Sequence, residues 1–195
     1  MLTERDTKVL KWIEDNKVIT IEEARYMFFE GNYKVCWRRL DQLEQMEILK
    51  SYKNKYDGKK VYYQDKKISS HDLFIHYFLG EIYKRGGELL QIKYQPRYLN
   101  DLIRPDSFLA FKWNNRVFLI LLEVDYTHFT DTSKFILYEK MFKEDSLGTI
   151  KKFGTFPKLL IVRPNLNTTR YSSKNFEVIY TTLNYKNLDE FLFIT

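Results

Sequence analysis

Cysteine is almost absent from this 195-residue chain. The one thiol, Cys36, has no partner for an internal disulfide, which points to a reducing compartment and a cytoplasmic location. Three histidines without HxH or HExxH spacing argue against a structural zinc site. Long apolar runs are also missing. Val117 to Leu122 is the longest and falls far short of a bilayer's thickness, so no membrane partner is expected. The chain opens directly on a capped helical pattern, so no signal peptide is expected. Seven glycines and four prolines leave no low-complexity linker, and no internal repeat is visible. What is abundant is aromatic and basic: 17% aromatic residues supply a core, and a formal charge of +6 suits a polyanionic partner.

Three amphipathic helices precede a hairpin between residues 3 and 63. Val9, Leu10 and Ile13 share a face of the first helix, Thr3 to about Asn16. Thr20-Ile21-Glu22-Glu23 is a capping box, so a second helix starts at Ile21 and stops at Gly31. A third helix spans about Tyr33 to Glu47, with Cys36, Leu40 and Leu43 facing a core and Lys34, Trp37 and Arg38 facing away. Two alternating runs, 48–53 and 59–63, flank an Asp57-Gly58 turn, a hairpin signal. This order predicts a winged helix-turn-helix over residues 1–65, bound to double-stranded DNA. Residues 32–60 hold eight Lys or Arg against four acids, a net +4, whereas residues 1–31 hold five against seven, a net −2. Lys34, Trp37 and Arg38 are expected to meet the groove, and Lys53, Lys55, Lys59 and Lys60 the phosphates. Hairpin lysines also serve simply to keep an edge strand soluble.

The second domain is expected over residues 70–195, with Gln64 to Ser70 as the boundary. Ser70 caps a helix to about Arg85. Strands follow at Glu88–Tyr94, Ser107–Trp113 and Arg116–Asp125, then a helix over 132–147, and further strands at Lys158–Val162 and Phe176–Thr181. The whole chain is thus α+β. Glu123 and Asp125 end an apolar strand on one side of the pleat, and Asp106 opens its neighbour. These three acids are candidate ligands for Mg²⁺, which would activate water against a phosphodiester. The competing reading has them capping strand ends or pairing with Arg104, Lys112 or Lys134.

Several short motifs occur in order along the chain: Leu2-Thr3-Glu4-Arg5-Asp6, Arg38-Arg39-Leu40 with Leu43, and His71-Asp72-Leu73. Arg104-Pro105-Asp106 and Leu122-Glu123-Val124-Asp125 follow, with Thr127, Lys134 and Tyr138 beyond. On these motifs the chain, from Leu2 to about Arg163, resembles the replication-relaxation family of plasmids and integrative elements. The resemblance is to the family as a whole. It implies a winged helix joined to a domain related to PD-(D/E)XK nucleases, acting in plasmid replication, relaxation or conjugative transfer. Such a nuclease places a lysine two residues after its second acid, where this chain has Asp125; Lys134 or Lys140 would have to reach back instead. The fold is therefore expected without the activity.

Three functions follow. One is a DNA-binding accessory protein of a mobile element, or its local repressor, which needs no cofactor. Another is a metal-dependent nuclease using Asp106, Glu123 and Lys134. The last is an interaction protein docking a relaxase, a replication initiator or a second copy of itself.

Overall fold

The computed structural model describes residues 1–194 of a mixed α and β chain, divided into two compact units, Met1–Gly86 and one beginning at Gly87. No described helix is long and apolar enough to cross a membrane.

The first unit runs α1 (Glu4–Asn16), β1 (Val18–Thr20), α2 (Ile21–Phe28), α3 (Tyr33–Gln45), β2 (Lys50–Lys53), β3 (Lys60–Tyr63) and α4 (Ser70–Lys84). Two capping boxes start helices. Thr3 accepts from the Asp6 amide while Asp6 accepts from the Thr3 amide, and Thr20 and Glu23 repeat the exchange. Glu30 and Gly31, at φ 51° and 78°, are the left-handed residues that turn α2 into α3. Val9, Ile13, Ala24, Cys36, Leu40, Leu43, Leu49 and Tyr62 form the core between helices and sheet.

Strand β1 carries too few residues to show a period in the sequence. It pairs antiparallel with β3, which also pairs with β2, giving the sheet order β1-β3-β2. Central β3 is therefore covered on both edges, and Val61 and Tyr62 are fully buried. The hairpin does not close on a two-residue Asp57-Gly58 turn, because its strands end at Lys53 and resume at Lys60. Buried Asn54 organises the six residues from 54 to 59. Its Oδ1 accepts from the amides of Tyr56 (2.9 Å) and Asp57 (3.0 Å), and its Nδ2 donates to the Lys59 carbonyl (3.1 Å).

The expected boundary at residues 64–70 is displaced. Helix α4, capped by Ser69, belongs to the first unit, so the second begins after Gly86 rather than at residue 70. Leu73 packs with Val18 and Val61, and His76 Nδ1 lies 2.8 Å from Glu23 Oε1, both side chains buried. Tyr77 Oη accepts from Asn54 Nδ2 at 3.0 Å and donates to Asp57 Oδ2 at 3.1 Å, and Phe74 meets the Tyr56 ring edge-on. The apolar stripe of α4 thus covers the small sheet and braces the hairpin loop.

The second unit contains β4 (Glu88–Tyr94), β5 (Ser107–Trp113), β6 (Arg116–Val124), α5 (Thr132–Lys143), α6 (Thr149–Phe153), β7 (Lys158–Arg163), β8 (Val178–Thr182) and α7 (Leu188–Phe191). Its sheet order is β4-β5-β6-β7-β8. The first three strands are antiparallel, and β6, β7 and β8 are parallel. Asn114 and Asn115, both at positive φ, close β5 onto β6 as a two-residue turn, as their spacing predicts. Helix α5 leads from β6 toward parallel β7 and lays Phe135, Tyr138 and Met141 against Leu121, Leu159 and Ile161. The antiparallel and parallel registers bring the start of β5 and the ends of β6 and β7 to one end of the sheet.

Candidate nucleic-acid interface and acidic cluster

Helix α3 separates its faces cleanly. Cys36, Leu40 and Leu43 are fully buried, and burial pushes the Cys36 thiol up to about 12, so it stays protonated at neutral pH. Lys34, Trp37 and Arg38 lie on the opposite, exposed face, and Trp37 keeps 44% of its surface in solvent. Lys53 and Lys55 are exposed on the hairpin. Among the described residues, Lys34, Arg38, Lys53 and Lys55 have no carboxylate partner.

Arg39, Lys59 and Lys60 beside them are paired. Arg39 turns back, its Nε 2.9 Å from Asp6 Oδ1 and its terminal nitrogen 2.5 Å from Oδ2. That guanidinium, helped by Thr3, holds the Asp6 carboxyl down to about 2. Lys60 corrects an expectation. Its ammonium sits 2.8 Å from Glu44 Oε2 and 3.2 Å from Asp41 Oδ1, two acids one turn apart on α3, so it ties the hairpin to that helix and is not free for a phosphate. Lys59 lies 3.2 Å from Asp57 Oδ2 but remains mostly exposed.

A cavity of about 260 Å³ opens between these elements, lined by Tyr33 and Trp37 of α3, Gly58, Lys59 and Lys60 of the hairpin, Glu22 of α2 and Tyr77 of α4. The sequence gives no direct sign of it, because Tyr77 is far from the others in the chain. The one trace is the polar tip of Tyr77 on an otherwise apolar stripe.

In the second unit, Asp106, Glu123 and Asp125 reach the same sheet end but form no common ligand set. Asp125 is buried, and both its oxygens are occupied. Oδ2 accepts from Arg163 Nε at 2.7 Å, and Oδ1 accepts from the Thr130 amide (2.8 Å) and hydroxyl (2.6 Å). The Arg163 guanidinium lies over the rings of Tyr180 and Phe129 and donates to Thr168 and to the Thr169 carbonyl. Asp106 Oδ2 accepts from the Val124 amide at 2.7 Å. Glu123 accepts from Lys134 Nζ at 2.6 Å and from the Tyr138 hydroxyl. Lys134 and Tyr138 stand one turn apart on α5, so both reach the same carboxylate.

Lys134 therefore reaches back from α5 to the Glu123 carboxylate. Burial, with Asp106 nearby, raises the Glu123 carboxyl to about 7 despite Lys134 and Tyr138, and the same burial drives the Tyr138 hydroxyl well above its ordinary value. Among the described residues no three His, Cys, Asp or Glu side chains are placed to share a metal ion. The triad Asp106, Glu123 and Asp125 does not fit Mg²⁺ as a set, because Asp125 is committed to Arg163 and Thr130. Capping and pairing, the competing reading of these acids, accounts for their contacts. Compared with known proteins, the chain matches no family model, no curated protein and no solved structure.

Proposed function

We propose that the chain is a DNA-binding protein whose first unit works as a winged helix-turn-helix, with α3 in the groove and the hairpin on the backbone. One observation carries this reading: Lys34, Arg38, Lys53 and Lys55 project uncompensated from two adjacent elements, beside a half-exposed indole, while neighbouring Arg39 and Lys60 are internally neutralised. Unpaired cations on neighbouring elements favour a polyanion. The resemblance to the replication-relaxation family supports an accessory role in plasmid replication, relaxation or transfer, with a relaxase or initiator as partner. Fluorescence anisotropy on duplex fragments selected from random DNA tests the reading. Arg38→Ala should lower specific affinity at least fivefold if Arg38 reads a guanine. Lys53→Ala should weaken all sequences alike and reduce the salt slope by about one unit. Affinity unchanged by both substitutions would refute it.

A second reading, metal-dependent DNA cleavage by a nuclease-like second unit, draws on Lys134 reaching Glu123 beside Asp106. Against it, the carboxylates are already committed within the chain. Mg²⁺- or Mn²⁺-dependent nicking of supercoiled plasmid that disappears in Asp106→Ala would establish it, and intact plasmid would remove it.

A further inference from the structure

We propose that the cavity between α3 and the hairpin loop receives a single unstacked nucleobase of the bound DNA, so that the preferred substrate is a duplex with an unpaired base or a single strand. This deepens the DNA-binding reading and rests on it. An intact duplex presents grooves that accept protruding elements, and it has nothing that protrudes to fill a hollow. A base swung out of the stack does protrude.

The lining suits such a base. Trp37 and Tyr33 bring large rings to the wall and are 44% and 47% exposed, and among the described residues no other ring or cation packs on the indole. Aromatic rings of this kind are stacking platforms for any base. Tyr77 completes the wall and is itself fixed, its hydroxyl bonded to Asn54 and Asp57. Gly58 leaves open space where a Cβ would stand, at the hairpin side of the opening.

Charge separates a base from an anionic ligand. The ammonium of Lys60 is neutralised by Asp41 and Glu44, and Glu22 pairs with Arg25 at 2.8 Å. The cavity therefore favours a neutral ring over a phosphate or carboxylate. Lys59 at the same cavity lies 3.2 Å from Asp57 Oδ2, and Lys34 lies on the same exposed face of α3 as Trp37, where the strand's phosphates would run. The same ring chemistry exists in a free nucleoside, so the test includes one.

The test compares the full chain's affinity for a matched duplex, the same duplex with one unpaired 2-aminopurine, and a single strand of equal length, all at one salt concentration. The unpaired duplex is expected to bind at least tenfold tighter than the matched one, with a change in 2-aminopurine emission on binding. Trp37→Leu should bring that ratio close to one, whereas Trp37→Phe, which keeps a ring, should retain most of it. A wild-type ratio within twofold of one, or a ratio that survives Trp37→Leu, overturns the inference while duplex binding itself stands. Adenosine that quenches tryptophan emission with no preference among the DNAs would also overturn it, assigning the cavity to a free nucleoside. Absence of binding to any of the DNAs would defeat the DNA-binding reading along with it.

Discussion

The exposed face of α3 and the end of β6 both concentrate charged residues, and they use them in opposite ways. On α3 and the hairpin, Lys34, Arg38, Lys53 and Lys55 point outward without carboxylates. At the end of β6, the cations turn inward: Arg163 closes on Asp125 at 2.7 Å, and Lys134 closes on Glu123 at 2.6 Å. Exposed ammonium groups cost little to hold in water and gain from a polyanion, whereas buried carboxylates need internal partners. The second arrangement holds a fold together, and under the DNA-binding proposal the first serves a partner. Asp6 and Glu123 show that partners alone do not fix a carboxyl group's proton affinity. Arg39 wins over burial at Asp6, and burial with Asp106 nearby wins over Lys134 and Tyr138 at Glu123.

Substitutions can break this contrast, in decreasing order of effect on stability. Arg163→Ala leaves Asp125 buried without its cation and should cost about 3–5 kcal/mol in urea unfolding. A cost below about 1 kcal/mol would mean that the pair holds nothing. Glu123 sets a pH dependence. Between its ordinary 4.5 and about 7, the folded state keeps a proton that the unfolded chain has released, so stability falls as pH rises across that window, by about 3 kcal/mol. Glu123→Gln should flatten this slope, as followed by thermal melts from pH 4.5 to 8.

Asp6 has the opposite sign. Its folded carboxyl sits near 2 and its ordinary value is 3.8, so its contribution is complete above about pH 4 and disappears as pH falls toward 2. Asp6→Asn should cost about 2 kcal/mol at pH 7 and remove that acid-side loss. Lys34→Ala and Lys53→Ala should change stability by less than about 0.5 kcal/mol, since neither residue has an internal partner to lose.

Much of the first unit was readable because its helices carry strong local signals. The Thr20–Glu23 capping box and the 3.6-residue spacing of Cys36, Leu40 and Leu43 placed the helices within a residue or two, while the Thr3–Asp6 box emerged only from the structure. Strand β1 escaped because it exists only through pairing with β3, whose register is set by residues more than forty positions away. The boundary was misplaced for a similar reason: Leu73, His76 and Tyr77 look like any amphipathic stripe until Val61, Glu23 and Asn54 are brought to meet them. At the candidate site, exposure of Lys34, Trp37 and Arg38 followed from periodicity alone. The capture of Lys60 by Asp41 and Glu44 did not, since it depends on how the hairpin lies against α3. In the second unit the acids were visible at strand ends, but Asp125 and Arg163 are joined only through the parallel pairing of β6 with β7.

The most direct measurement is the salt dependence of duplex DNA affinity for the wild type and for Lys34→Ala/Arg38→Ala, both confirmed folded by their melts. A wild-type slope that drops by no more than about one unit in the double variant, with at least tenfold weaker binding at a fixed low salt, is the expected result. Identical slopes and affinities would contradict the assignment of α3 as the DNA-facing element.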